Sequence, residues 1–125
     1  METKTNLFGL AKSFAIDAIN FNNTLVKDKQ FTISNQFSRS ATSIGANLYE
    51  AKFAESKRDF LHKMKIAEKE ASETAFWLDI LASTSNYTEV QILQGNIEVI
   101  QKVLARTIQT LKHNLEKAEA TTTGY

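Results

Sequence analysis

Apolar residues recur every three or four positions along almost the whole chain. Leu7, Leu10, Phe14, Ala18, Phe21 and Leu25 draw one stripe, the mark of an amphipathic helix over about residues 6–27. Ile33, Phe37, Ala41, Ile44, Leu48 and Ala51 draw a second, over about 32–53. Phe60, Met64, Ala67, Ala71, Ala75 and Leu78 draw a third, over about 57–83, flanked by Leu61, Ile66, Trp77 and Leu81. The apolar coverage from Phe76 to Leu81 is wide enough to require burial against more than one neighbour. Val90, Leu93, Ile97, Ile100, Leu104, Leu111 and Leu115 mark a fourth helix, over about 88–117. Its strict heptad passes through Thr107 and Asn114, with Ile108 and Leu115 just beside them, so the seam drifts as on a straight helix.

The connections carry matching signals. Thr5 or Asn6 is placed to cap the first helix and Thr32 the second. Ser56 with Asp59, and Thr88 with Gln91, have capping-box spacing before the third and fourth. The tail 118–125, rich in Thr and ending Gly-Tyr, reads as a frayed, disordered end. With neither sustained alternation nor a hairpin dipeptide, strands have no support. The expectation is an all-α, antiparallel up-down-up-down four-helix bundle forming a single domain over 1–117.

Composition strengthens that picture. The chain of 125 residues has no proline and only four glycines, so long helices meet few breakers. It has no cysteine, which excludes a disulfide framework, thiolate chemistry and Cys-based zinc sites. No run approaches the roughly 18 apolar residues of a membrane span, and the first residues lack a signal-peptide pattern. Cytoplasmic residence is therefore expected.

One stretch departs from ordinary helix composition. Between Gln36 and Glu50, Ser38, Ser40, Ala41, Thr42, Ser43, Gly45 and Ala46 are all small. Ser, Thr and Gly cost a few tenths to about 1 kcal/mol each relative to Ala. A helix that accepts so many uses close approach or hydrogen bonds to its neighbours. Arg39, Ser43, Asn47 and Glu50 step by four, four and three along one side, the layout of a polar row at a helix–helix or subunit contact.

Candidate chemistry is sparse. Of the two histidines, His62 follows Asp59 by three and His113 follows Thr110, so neither makes the Glu-x-x-His pair of di-metal bundles. The serines of the second helix have no nearby histidine base. The glycines stand apart at 9, 45, 95 and 124, which leaves no phosphate-cradling loop. No catalytic residue, metal, cofactor or small-molecule substrate is expected, and the chain reads as non-enzymatic.

Charge distribution says more than the net charge of +1. Lys52, Lys57, Arg58, Lys63, Lys65 and Lys69 stand against Glu55, Asp59 and Glu68, whereas Glu70 to Gln101 contains no Lys or Arg. Arg58, His62, Lys65 and Lys69, with Lys57 beside them, share one helical face. Such a stripe can neutralise the phosphates of RNA or DNA. It can equally be a solvated face, or pair with the acidic segment of another subunit.

Gln36, Arg39, Ser40, Ser43, Ile44, Ala46, Asn47 and Glu50, followed by Glu55-Ser-Lys-Arg-Asp-Phe60 and Ile66-Ala67, resemble the bacterial family named for 23S rRNA intervening sequences. The family pattern runs Gln, two residues, Arg-Ser/Ala, then Ser-Ile-x-Ala-Asn-Ile/Leu-x-Glu. Many members place Gly after that Glu, where this chain has Ala51, and Gly-Ser where it has Lys69-Glu70; Glu73 keeps the later acidic position. The resemblance implies an antiparallel four-helix bundle assembling as a cyclic homopentamer, with Gln36, Arg39, Ser43, Asn47 and Glu50 as a polar network or subunit contact. The family name describes gene location, not an activity. The accessory protein of diversity-generating retroelements is similar, a basic pentameric barrel that works with nucleic acid and a reverse transcriptase. Two functions follow as expectations: an RNA- or nucleoprotein-associated accessory protein, or a protein-interaction module without nucleic-acid binding.

Overall fold

The computed structural model describes residues 6–123. Four helices account for nearly all of them: α1 (Leu7–Lys27), α2 (Phe31–Ala51), α3 (Lys57–Thr84) and α4 (Thr88–Thr123). Consecutive helices pack together and α4 closes against α1. Cross-helix partners ascend on one helix as they descend on the next: Ser40 meets Thr74 while Glu50 meets Lys63. The helices therefore alternate in direction around one core, as the short connections require.

The apolar stripes supply that core. Phe14, Leu25, Phe37, Ile44, Leu48, Met64, Leu78, Ile100 and Leu104 are its largest fully buried apolar side chains. Phe21 makes edge-to-face contacts with Phe37 and with Tyr87, at centroid distances of 5.8 and 5.3 Å. The Tyr87 hydroxyl donates to Asp28 at 2.6 Å, tying the α3–α4 loop to the end of α1. Ile108, not Thr107, is buried, as the drifting seam anticipates. On α3, however, Phe76 is 53% exposed and Ile80 36% exposed. The chain alone does not cover its widest apolar face.

The helix ends follow local chemistry. Asn6 caps α1 through its side chain onto Gly9 N, 2.9 Å away. Ser56 caps α3 by accepting from Asp59 N at 3.0 Å, and Asp59 reciprocates on Glu55 N at 3.1 Å. This is a capping box in which the shorter carboxylate reaches one residue further back than Glu does. Thr32 is not the cap of α2. Lys29 adopts a left-handed φ of 60°, with Gln30 N on Leu25 O and Lys29 N on Val26 O, a Schellman turn that delivers the chain straight into α2 at Phe31. At the other end α2 stops at Ala51 rather than 53, because Phe53 N and Ala54 N tighten onto Glu50 O and Ala51 O.

α4 corrects the expected tail. The helix continues past 117 to Thr123, leaving Gly124 and Tyr125 outside the described residues. No breaker intervenes before Gly124, Ala118 and Ala120 are good helix formers, and Glu119 is ion-paired to Arg58 at the start of α3. Among the described residues, no helix is long and apolar enough to cross a membrane.

Candidate nucleic-acid interface

The small residues of α2 serve two purposes. Ser34 donates to Asn22 of α1 at 2.8 Å. Ser40 and Thr74 are both fully buried and bonded across the α2–α3 interface at 2.9 Å, with Ser40 Oγ also 3.2 Å from Phe37 O. Ser43 Oγ, by contrast, donates to Arg39 O, and Asn47 Nδ2 to Ser43 O, both within α2. Gly45 does not enforce close approach: an added Cβ would rest 3.7 Å from Ala11 O, an ordinary contact.

The polar row on α2 therefore divides. Ser43 and Asn47 turn back onto their own helix, while Arg39 and Glu50 reach α3. Gln36 is exposed. Glu50 accepts from Lys63 Nζ at 2.8 Å, and that bond holds the Lys63 ammonium above its ordinary range. Arg39 Nη2 lies 2.6 Å from Glu73 Oε2, and Nη1 3.6 Å from Glu70 Oε1. Trp77 Nε1 donates to the same Glu73 oxygen at 3.1 Å. The Trp77 bond first, and the Arg39 bond after it, hold the Glu73 carboxyl below its usual range. Trp77 in turn meets Phe76 edge-on, centroids 4.9 Å apart. The spacing of Glu73 and Trp77 places them on neighbouring turns, a signal in the sequence that a search for catalytic pairs passes over.

The basic stripe lies N-terminal to this cluster on α3, with Lys69 one helical turn before Glu73. Lys57, Arg58, His62, Lys65 and Lys69 are all exposed. Arg58 is engaged by Glu119; Lys57, His62, Lys65 and Lys69 have no ion-pair partner within the described residues. The antiparallel register then adds what one helix cannot show. An open groove of about 770 Å³ between α3 and α4 joins Lys65 to Arg106, Lys112 and His113, with Glu68 and Glu116 on its walls. A second stretch, about 840 Å³, runs from Lys65 and Lys69 past Ser72 to Phe76 on α3, with Glu68 and Glu73 also on its walls and Gln101 opposite. Only sequence distance separates the α4 cations from the α3 stripe, and a helical hairpin removes it.

Asp59, three residues before His62, is committed to the capping box. Among the described residues, no three His, Cys, Asp or Glu side chains gather as a metal-holding group.

Comparison with known proteins agrees with this architecture. A crystal structure at 1.70 Å of a protein of unknown function from the S23 ribosomal protein family of Bacteroides thetaiotaomicron VPI-5482 is similar, with a TM-score of 0.78 and 37% identity. The match covers 82% of this chain and 97% of that one. No curated protein matches. The pattern of the 23S rRNA-intervening sequence protein family matches residues 3–118, nearly the full length, and the chain belongs to that family.

Proposed function

We propose that the protein is a non-enzymatic, homo-oligomeric helical bundle of the cytoplasm that associates with RNA or a nucleoprotein through the α3–α4 surface. The observation that carries this reading is the set of exposed cations on α3 that lack an ion-pair partner among the described residues, extended across the groove by Arg106 and Lys112. Cations held on a rigid helix pair neutralise phosphates without needing a base-specific contact. Assembly is supported by large apolar side chains on outer faces, among them Ile16, Ile19, Ile92 and Val99, each about half exposed or more. A homopentamer accords with the family resemblance. The test is RNA binding across a salt series: affinity that falls steeply with salt supports the reading, and no binding at low salt removes it.

The alternative is a protein-interaction module without nucleic-acid binding, whose basic and acidic segments join subunits. Arg58 already pairs with Glu119 in the same chain, so part of the stripe serves cohesion. Charge reversal at Arg58 and Lys65 then disturbs assembly and leaves RNA binding absent throughout.

A further inference from the structure

Phe76 is the exposed aromatic of α3, whose other two, Phe60 and Trp77, are half-buried. It is 53% exposed, yet it is held. Its ring meets Trp77 edge-on, Trp77 is anchored to Glu73 by its indole N–H, and Glu73 is clamped from α2 by Arg39. The chain of contacts runs from the polar row of α2 to one open aromatic side chain.

The surroundings indicate what the ring meets. Phe76 lines the same groove as Lys65 and Lys69, with the carboxylates of Glu68 and Glu73 also on its walls and Glu73 already engaged by Arg39 and Trp77. Lys69 stands two helical turns before it on the same side of α3, about 10 Å along the axis. Neither lysine makes an ion pair among the described residues, although the charge of Lys69 acts on the nearby Glu73 carboxylate. An open aromatic ring beside unpaired cations is the minimal arrangement for holding a single strand, since the ring stacks a base and the cations meet the phosphates. An acidic partner protein would use the lysines but not need the ring to be positioned.

We infer that Phe76 is a stacking platform for a base of single-stranded nucleic acid, with Lys69 and Lys65 on its phosphates and the Arg39–Glu73–Trp77 chain as positioning residues. This rests on the nucleic-acid reading proposed above and adds a preference for unpaired strands. The test is binding of an unstructured oligonucleotide of about 12 nucleotides, and of the matching duplex, to wild type, Phe76→Tyr and Phe76→Ala. Binding is followed through the single tryptophan, which lies against the ring. Phe76→Ala is expected to weaken single-strand binding about five- to hundred-fold with an unchanged salt slope and particle mass, and to leave duplex binding unmoved. Phe76→Tyr retains the affinity and the tryptophan response. Unchanged single-strand affinity in Phe76→Ala overturns this inference alone. A changed particle mass in that variant also overturns it, by making Phe76 a subunit contact. Failure of wild type to bind either nucleic acid removes the proposed function, and this inference with it.

Discussion

Arg39 of α2 and Trp77 of α3 share one acceptor, the Glu73 Oε2 atom, at 2.6 and 3.1 Å. A residue of the family motif is thereby joined to the only tryptophan of the chain. The carboxylate is held in its charged form by both donors, so its folded pKa lies below the ordinary 4.5. For a depressed carboxyl the stability is present above the unfolded pKa and is lost as pH falls through the folded one. Acid unfolding of wild type should therefore include a contribution below pH 4.5 that Glu73→Gln lacks. Denaturation midpoints at neutral and acid pH measure it: the gap between the two proteins should close on acidification. Because the site is largely solvated, the effect is expected to be modest.

The buried Ser40–Thr74 pair makes a sharper packing prediction. Ser40→Ala removes one interhelical bond and leaves Thr74 its 2.8 Å contact with Glu70 O, so the loss should be about 1 kcal/mol. Ser40→Leu forces a large side chain into a fully buried position, and the loss should be about 1–3 kcal/mol or more. Urea unfolding of the two variants checks the order, and equal losses would contradict it.

Two backbone substitutions should stabilise the fold. Lys29 holds a left-handed conformation that costs a side-chain-bearing residue about 1–2 kcal/mol, so Lys29→Gly should gain part of that, about 0.5–1 kcal/mol after the entropy of the unfolded chain. Gly95 lies inside α4, and a Cβ added there would meet nothing within 4 Å, so Gly95→Ala should gain about 0.5–1 kcal/mol of helix propensity. Both are read from denaturant midpoints. If Gly95→Ala instead changes particle mass, another subunit approaches that helix face.

Much of the fold is legible in the sequence because its signals are local. Heptad-like spacing places the core, and Ser56 with Asp59 marks the start of α3. What is not legible depends on the third dimension. Thr74 sits at a buried position in step with Ala71 and Leu78, yet a reading that counts apolar residues passes over it; its partner Ser40 lies 34 residues away. Thr32 has the chemistry of a cap, but the turn at Lys29 starts α2 at Phe31, with Gln30 in the cap position. Residues 118–123 have the polar composition of a tail, while the ion pair that extends α4 there comes from Arg58. The candidate interface is half visible: the α3 stripe is continuous in sequence, whereas Arg106 and Lys112 join it only through the antiparallel register.

Removing cations from the groove separates phosphate binding from cohesion. Lys65→Gln and Lys69→Gln should each lower the magnitude of the salt slope by about 1 without altering helix content or particle mass. Arg58→Glu should perturb the α3–α4 ion pair, and Arg58→Glu with Glu119→Arg should restore it. Circular dichroism and binding isotherms distinguish these outcomes.

The most direct measurement is RNA affinity as a function of salt, made on the intact particle with its mass recorded in the same buffer. The expected result is a mass that is a multiple of the 14.1 kDa chain and a log–log slope corresponding to several phosphate contacts. A single-chain mass, or no RNA binding at low salt, would contradict the proposed function.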